Sequence, residues 1–366
     1  MTDLAPLFRP FESEKLKLKN RIVMAPMTRS FSPDGIPGDD VASYYKRRAL
    51  NEVGLIITEG TTVDHDAAEN DPNVPAFHGK ALEGWAKVVD EVHTVGGKIM
   101  PQLWHTGMVR RQGQGRTPDA VSVGPSGYAN ADKQVGEAAS IDQIDALIGA
   151  FAQGASDAKR LGFDGIELHG AHGYLIDQFF WDATNKRGDK YGGALAERAT
   201  FAADIVKAAR AAVGKDFPII IRLSQWKQQD FAAKLAHTPE DLETFLTPLV
   251  DAGVDLFHCS QRRYWEPEFD GSDLNFAGWT KKITGKPTIS VGSVGLDGEF
   301  IASLGGASAE TAADISNLLE RMAANEFDLI AVGRALLVDP EWVVKVRDQR
   351  LDELKPYTKE AAQELY

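Results

Sequence analysis

Eight short apolar runs rich in isoleucine and valine recur along the 366-residue chain, with helical stretches between them. The runs are Arg21–Pro26, Leu55–Gly60, Lys98–Trp104, Gly165–Gly170, Pro218–Ser224, Val254–Ser260, Pro287–Ser293 and Asp328–Arg334. Continuous apolar runs are typical of parallel strands that are covered on both faces. Eight such strands alternating with helices predict an α/β fold, a (β/α)8 TIM barrel. The alternative is a doubly wound open sheet, which the absence of G-x-G-x-x-G after any run disfavours.

Amphipathic stretches between these runs predict the outer helices. Ile141–Leu161 places apolar residues at helical spacing, and Ser140 stands just ahead of it as an N-cap. Thr238 is a second predicted N-cap, because a proline and two acidic residues follow it. Further predicted helices occupy Ala196–Val213, Pro239–Ala252 and Thr311–Ala324.

Two segments lie outside the strand and helix alternation. Leu7–Lys19 alternates weakly, and we interpret it as an N-terminal β-hairpin that closes the bottom of the barrel. Thr106–Ala139, after the third strand, is long and rich in Gly, Ser and Pro, so we expect it to cap the opposite face. On this interpretation residues 1–366 form a single barrel domain, with 106–139 as its capping loop.

Charge and cysteine content exclude several classes of function. Lys+Arg is 40 and Asp+Glu is 53, a net charge of −13, so we expect neither nucleic-acid nor membrane partners. Cys259 is the only cysteine, which rules out an intrachain disulfide and a cysteine-ligated zinc or iron–sulfur cluster. The chain shows no signal-peptide pattern and no apolar window long enough for a membrane span, so a cytoplasmic location is expected.

Polar residues or glycines stand at the carboxyl ends of most runs, where a TIM barrel collects its functional groups. They are Thr28, Gly60, Gln102, His169, Arg222, Ser293 and Arg334. The seventh and eighth runs end in Gly292-Ser293 and Gly333-Arg334, which predicts a phosphate site built from backbone N–H groups and a guanidinium. A pair of tight turns without a ligand is the alternative. No lysine ends a run, which disfavours Schiff-base chemistry.

The fourth run ends in the block His169-Gly-Ala-His172-Gly-Tyr174. Two imidazoles could bind a metal, pack in the core, or polarise a carbonyl oxygen while the phenol donates a proton. No third ligand in a recognised zinc pattern lies near them, so no metal is predicted. Arg222 ends an apolar run, where it forms either a buried salt bridge or a cation for an electron-rich ring. Gln102 offers both donor and acceptor groups to such a ring, and Thr28 offers a hydroxyl.

Motifs along nearly the whole chain resemble those of the old yellow enzyme family of FMN-dependent oxidoreductases. They are Leu7-Phe-Arg-Pro, Leu18-Lys-Asn-Arg-Ile-Val-Met-Ala-Pro-Met-Thr-Arg-Ser, Ile57-Thr-Glu-Gly, Gln102-Leu-Trp-His-Thr-Gly, His169-Gly-Ala-His-Gly-Tyr-Leu-Ile-Asp-Gln-Phe-Phe, Asn185-Lys-Arg-Gly-Asp-Lys-Tyr-Gly-Gly and Val332-Gly-Arg-Ala-Leu-Leu-Val-Asp-Pro. The His-x-x-His-x-Tyr block with its following Asp-Gln-Phe-Phe is the most specific of these. The branch of the family with a cysteine beside the flavin has it where Thr28 stands, so the chain resembles the other branch.

The resemblance implies an NAD(P)H dehydrogenase that binds FMN noncovalently and uses NADPH or NADH as reductant. It assigns FMN binding to Ala25, Pro26, Met27, Thr28, Gly60, Gln102, Arg222, Gly292, Ser293, Gly333 and Arg334. As an ene-reductase, the enzyme would take an enone or a nitroalkene, and a nitrate ester is a further expected small-molecule substrate. His169 and His172 would grip the substrate oxygen, flavin N5 would give hydride to the β-carbon, and Tyr174 would protonate the α-carbon.

The substrate pocket is predicted around the flavin face. Its residues are Thr28, Trp104, His169, His172, Tyr174 and Tyr264. Trp226, Tyr264 and Trp265 follow the fifth and sixth strands, where they either wall the pocket or pack onto the barrel rim. Two other activities stay open: a flavin-dependent dehydrogenase or demethylase of a small metabolite, and a flavin-free barrel enzyme acting on a phosphorylated substrate. A monomer and a homodimer are both compatible with the sequence.

Overall fold

A closed barrel of eight parallel strands forms the centre of the molecule. The structure, a computed structural model, describes residues 3–295 and 315–366. The strands in chain order are β1 (Phe11–Glu12), β2 (Lys17–Leu18), β3 (Ile22–Met24), β4 (Leu55–Thr62), β5 (Ile99–Trp104), β6 (Tyr128–Asn130), β7 (Lys133–Gln134), β8 (Ile166–His172), β9 (Ile219–Lys227), β10 (Leu256–Ser260), β11 (Thr288–Val291) and β12 (Leu329–Val332). Around the barrel the order is β3-β4-β5-β8-β9-β10-β11-β12, with β12 pairing to β3. The predicted TIM barrel is therefore confirmed, and each apolar run contains one barrel strand.

Three barrel strands extend past the runs that predicted them, and the first of them, β4, reaches Thr62. β8 reaches His172 and β9 reaches Lys227, and these two residues are paired across a bulge that follows Gly170. Trp226 therefore lies in a strand and not in the following loop. Lys227 ends β9, contrary to the expectation that no lysine ends a strand, but its side chain is fully buried against Asp177.

Helices cover the outside of the barrel. They are α1 (Ala5–Phe8), α2 (Asp39–Leu50), α3 (Ala81–Thr94), α4 (Ile141–Leu161), α5 (Leu175–Phe180), α6 (Leu195–Arg198), α7 (Thr200–Val213), α8 (Pro239–Ala252), α9 (Phe276–Thr284), α10 (Ser316–Ala323), α11 (Arg334–Val338) and α12 (Trp342–Arg347). Four single 3-10 turns cover Pro33–Gly35, Gly107–Val109, Leu351–Glu353 and Ala361–Gln363.

The predicted helix boundaries are largely confirmed. Ser140 and Thr238 cap α4 and α8 by accepting the backbone N–H of the residue three positions on, because these first-turn N–H groups have no partner within the helix. The single helix predicted over Ala196–Val213 is wrong in one respect. The structure has two helices there, which meet at Ala199. The N–H of Ala199 donates to the carbonyl of Ala196, three residues earlier, and this bond interrupts the α-helical hydrogen-bond pattern. Of the predicted helix 311–324, positions 311–314 lie outside the described residues.

A short hairpin closes the N-terminal end of the barrel. β1 and β2 pair antiparallel, and Phe11, Leu16 and Leu18 pack onto the apolar side chains that fill the barrel interior. The predicted hairpin is confirmed but narrower, because Leu7 and Phe8 lie in α1 instead. The opposite end, where the strands terminate, is therefore the open one.

Segment 106–139 contains the small antiparallel hairpin β6–β7. Arg187 holds the segment at two places, donating to the carbonyl oxygens of Pro125 (2.9 Å) and Ala139 (2.6 Å). Arg116 ties it to Glu69 through an ion pair of 3.1 Å. That segment 106–139 acts as a cap, and that residues 1–366 form one domain, both stay predictions. In the described part of the chain, no helix has the length and apolar character needed to cross a membrane.

Candidate active site

A cavity of about 400 Å³ opens among the carboxyl ends of the barrel strands. Its lining is Ala25, Pro26, Met27, Thr28, Arg29, Gly60, Gln102, Trp104, His169, His172, Tyr174, Arg222, Trp226, Gln228, Ser260, Gln261, Arg262, Val291, Gly292, Ser293, Val294, Ala331, Gly333, Arg334, Leu337, Tyr357 and Ala362. The structure thus brings together every residue predicted for the site except Tyr264. No residue of segment 106–139 is among these lining residues.

Tyr264 lies behind the cavity wall, not in it. Its ring is buried and packs edge-on against Trp265, with 5.1 Å between ring centroids. Its N–H donates to the carbonyl of Gly292 at 3.2 Å, and its carbonyl accepts the amide of Asn275 at 2.7 Å. Tyr264 therefore supports the turn after β11, while Trp226 is the loop-predicted aromatic residue that lines the cavity.

Three aromatic rings from the end of β8 face one another at the cavity. The ring centroids of His169 and His172 are 5.3 Å apart, and those of His169 and Tyr174 are 5.1 Å apart. Trp104 from β5 packs edge-on against Tyr174 at 5.0 Å. The block that the sequence singled out thus forms one polar wall with an aromatic flank.

The backbone turn that aims these rings is held by buried polar groups. His172 has a left-handed backbone (φ 65°), and its N–H donates to the hydroxyl of Ser224 at 2.9 Å. The N–H of Gly173 donates to Asp177 at 2.7 Å, and the other carboxylate oxygen pairs with Lys227 at 2.7 Å. Because both members of that ion pair are fully buried, removing either charge leaves the other uncompensated.

Both imidazoles of the wall are neutral. Burial, and next the positive charge of Arg222, lower the pKa of His169 and of His172 well below its usual value. A neutral imidazole offers one donor and one acceptor. The Nδ1 atom of His169 accepts the N–H of Ala171 at 3.4 Å, which leaves Nε2–H as the donor. The Nε2 atom of His172 lies 2.8 Å from the hydroxyl oxygen of Ser260.

Tyr174 keeps its proton. Burial raises the pKa of its phenol, although a hydrogen bond from the amide of Gln228, 3.1 Å away, opposes that rise. A protonated phenol beside two imidazole donors is a proton source for a ligand held by those donors.

Arg222 places a cation beside this wall. Burial lowers the pKa of its guanidinium to about 10, while the negative charge of Glu167 opposes the shift, so Arg222 is charged at neutral pH. No carboxylate of the described residues lies within 4.0 Å of it, which argues against the direct salt bridge considered from the sequence. Its Nε–H is buried and has no hydrogen-bond partner. An unsatisfied donor of this kind fits the electron-rich edge of a flavin ring.

Two glycine turns meet at the end of neighbouring strands β11 and β12. A Cβ at Gly292 would lie 2.6 Å from the carbonyl oxygen of Gln261, and φ there is 157°, so only glycine fits the close approach. Ser293 follows in the left-handed region (φ 51°), and Gly333 leads into Arg334. The phosphate site at these two turns stays a prediction. No group of three or more metal-ligating side chains occurs within 3–295 and 315–366.

The C-terminal segment contributes residues that the sequence did not indicate. Tyr357 and Ala362 line the cavity, and the ring of Tyr357 lies 5.6 Å from the guanidinium of Arg334. Arg29 secures this segment, because its Nη2 donates to the carbonyls of Ala362 (2.7 Å) and Glu364 (2.8 Å). The sequence of this segment has no strand or helix periodicity that would predict its position. The one available signal was that Arg29, which holds the segment, directly follows Thr28.

Comparison with known proteins agrees with this geometry. A model described as the NADH:flavin oxidoreductase / NADH oxidase family matches residues 6–353. The NADH oxidase of Thermoanaerobacter brockii is 34% identical over an alignment that covers 97% of this chain and 52% of that protein, so the chain spans about half of that relative. Morphinone reductase in complex with tetrahydroNAD superposes with a TM-score of 0.80 at 26% identity, covering 98% of this chain and 97% of the other. An old yellow enzyme homologue from Zymomonas mobilis gives 0.79 at 26% identity, covering 98% and 96%.

Fold, cavity and relatives together define a flavin-dependent oxidoreductase built on a TIM barrel. The chain belongs to the NADH:flavin oxidoreductase / NADH oxidase family. The predicted resemblance to the old yellow enzymes is confirmed, as is the cofactor class, FMN with a nicotinamide reductant.

Proposed function

We propose that the chain reduces the activated C=C bond of an α,β-unsaturated carbonyl or nitro compound, with FMN as cofactor and NADH or NADPH as reductant. The observation that carries this proposal is the wall of His169, His172 and Tyr174 around the cavity that Gln102 and Arg222 also line. Bound FMN, once reduced, supplies the hydride that adds to the β-carbon of the substrate.

The imidazoles bind the substrate oxygen. As neutral hydrogen-bond donors, they stabilise the negative charge that develops on a carbonyl or nitro oxygen. Drawing charge onto that oxygen makes the β-carbon electrophilic. The donors therefore act more strongly in the transition state than in the ground state, which is the requirement for acceleration.

Tyr174 completes the addition. The phenol holds its proton because burial raises its pKa, and it stands beside the oxygen-binding pair. One hydride at the β-carbon and one proton at the α-carbon balance the reduction of the double bond. Trp104 and Trp226, which line the cavity beside the imidazoles, form the apolar walls that hold the rest of the substrate.

The remaining lining residues fit FMN. Ala25 to Thr28 follow β3 and would lie along the isoalloxazine, Gly60 and Gln102 would meet the pyrimidine edge, and Arg222 the N1 edge. Gly292, Ser293, Gly333 and Arg334 would hold the phosphate. The orphaned Nε–H of Arg222 and the obligatory glycine at 292 support this fit.

Two other activities use the same cavity. A dehydrogenase or demethylase would need a base to accept a proton, whereas the pKa of Tyr174 is raised and favours donation. A flavin-free barrel enzyme acting on a phosphorylated substrate as a Schiff-base aldolase would need an accessible lysine, whereas Lys227 is fully buried in its ion pair with Asp177.

The test has two stages. The purified protein is expected to be yellow, with an absorption band of bound flavin. A colourless protein that does not bind added FMN would contradict the proposal. The prereduced enzyme is then mixed anaerobically with cyclohexenone, a nitroalkene and a nitrate ester in a stopped-flow instrument. Rapid flavin reoxidation by the enone or nitroalkene supports the proposal, and reoxidation by neither contradicts it.

A further inference from the structure

A buried carboxylate lies under the cavity and takes no part in its lining. Glu167 is the second residue of β8, and its side chain is fully buried in the barrel. One of its oxygens accepts the amide of Gln102 at 2.8 Å. The other lies 2.7 Å from Nδ1 of His258 on β10. Glu167 thus connects three strands beneath the floor of the site.

The first contact fixes the orientation of Gln102. An ionised carboxylate only accepts hydrogen bonds, so the amide must turn its NH2 toward Glu167. The carbonyl oxygen of Gln102 is then left for the cavity that the residue lines. An acceptor at this place matches the imide N–H of a flavin pyrimidine, whereas the flipped amide would present a donor.

The second contact fixes His258 as a neutral donor. Burial lowers the pKa of its imidazole, so Nδ1–H donates to the carboxylate, and its Nε2 is buried without a partner. Among the described residues, Glu167 and Arg222 are the charged groups that act on His258. Arg222 is paired by strand register with both His258 and His169. Glu167 compensates Arg222 across the barrel interior without touching it.

We infer that Glu167 is a positioning residue for the flavin: it turns the acceptor of Gln102 toward the ring, and as the counter-charge of Arg222 it lowers the reduction potential of bound FMN. The inference rests on the proposed flavin site. Reduction adds negative charge at the ring edge that Arg222 faces, and a nearby carboxylate in a low-dielectric interior opposes that charge.

The experiment uses the FMN-loaded protein and Glu167→Gln, which removes the charge with little change of shape. The midpoint potential, measured against a reference dye, is expected to become more positive. The dissociation constant of FMN, measured by flavin fluorescence, is expected to rise about tenfold, because a neutral amide no longer enforces the orientation of Gln102.

A matched control separates this effect from general destabilisation. Asp339→Asn also removes a buried carboxylate. Asp339 forms an ion pair of 2.9 Å with Lys345, and neither residue lines the cavity. This variant is expected to lower the unfolding midpoint and leave the flavin potential unchanged. Equal potential shifts in both variants would overturn the inference, as would an unshifted potential in a folded Glu167→Gln protein.

A second variant keeps the test decisive if Glu167→Gln does not fold. Glu167→Asp keeps the charge but shortens the side chain, so the bond to Gln102 is lost. We expect weaker FMN binding with an unchanged potential, and unchanged binding would contradict the orienting role. Failure of the proposed function is distinguishable, because it is measured on the unsubstituted protein, as absence of bound FMN or as no reoxidation by the enone or nitroalkene. The inference is instead measured by how the potential and the FMN dissociation constant change in the Glu167 variants.

Discussion

The Nε2 atom of His172 lies 2.8 Å from the hydroxyl oxygen of Ser260, across the cavity floor between β8 and β10. One of the two imidazoles that we propose bind the substrate oxygen is therefore already hydrogen-bonded within the protein. The ring also packs on Trp226, with 4.6 Å between ring centroids. These two contacts separate what the ring does by hydrogen bonding from what it does by packing.

His172→Phe keeps a ring on Trp226 and removes the hydrogen bonds. Binding of a phenol to the oxidised enzyme, followed by the charge-transfer absorption of the flavin, is expected to weaken about tenfold or more, as for the loss of a hydrogen bond to a charged oxygen. Ser260→Ala, which keeps the imidazole, is the control and is expected to change the affinity less than threefold. Equal losses in the two variants would show that His172 acts through Ser260 and not on the ligand.

Tyr174→Phe removes the proposed proton donor and keeps the aromatic contact with Trp104. The oxidative half-reaction with an enone is expected to slow by about 100-fold, the usual range for general acid catalysis, while flavin reduction by NADH or NADPH stays largely intact. Single-turnover stopped-flow measurement of each half separates the two. Gln228→Leu, which removes the hydrogen bond to the phenol oxygen, is the milder control. Equal slowing of both halves by Tyr174→Phe would refute its role as the acid.

Arg29→Lys keeps the positive charge and loses the paired contacts to the carbonyls of Ala362 and Glu364. We expect the segment that carries Tyr357 to exchange its amide hydrogens faster, and FMN to dissociate about 3- to 10-fold faster, because part of the cavity wall is released. Arg47→Lys is the matched control, since Arg47 also holds this segment, through Leu365, but does not line the cavity. An unchanged FMN dissociation rate in Arg29→Lys would mean that the segment does not retain the cofactor.

Glu59→Gln tests a buried carboxylate that holds the backbone just after Thr28. Its oxygen accepts the N–H groups of Arg29 (2.8 Å) and Ser30 (3.1 Å), and burial raises the pKa to about 7. The folded state therefore holds the proton more tightly than the unfolded state. The stability that this provides is present below pH 4.5 and is lost as the pH rises toward 7.

The variant has no proton to lose at this position. Its free energy of unfolding, relative to the unsubstituted protein, is expected to rise by up to about 3 kcal/mol between pH 4.5 and 8. Urea unfolding of both proteins at several pH values measures this difference. A difference independent of pH would show that Glu59 ionises in the fold as it does in the unfolded chain.

The barrel could be predicted because its signal is repetitive. Continuous apolar runs mark strands that are covered on both faces, and the closed fold then assigns their carboxyl ends to one site. Gln102, His169 and Arg222 followed from that rule alone. A different rule would have found Glu167 and His258: each is a polar residue inside an apolar run, and a buried polar group needs a partner.

Loops and the C-terminal segment could not be predicted in the same way. The position of Tyr264 depends on how the chain turns after β10, and no periodicity encodes that turn. Arg29 contacts Ala362 and Glu364 because the C-terminal segment returns across the barrel. A hydrogen bond from a side chain to a backbone carbonyl does not depend on the residue type of the acceptor, so the sequence does not reveal it.

The proposed flavin site is complete only after the last strand of the barrel has been synthesised and paired. β3 and β12 are neighbours, and the guanidinium of Arg21 donates to the carbonyl of Asp328 across 307 positions of sequence. A nascent chain that lacks β12 has an open sheet with exposed edges, a form prone to aggregation. It also lacks Arg334 and Gly333, and Gly333 lies beside Ala25 and Met27 in the complete fold. In a living cell, the absorption of bound flavin would then indicate that β12 has been translated and that the barrel has closed.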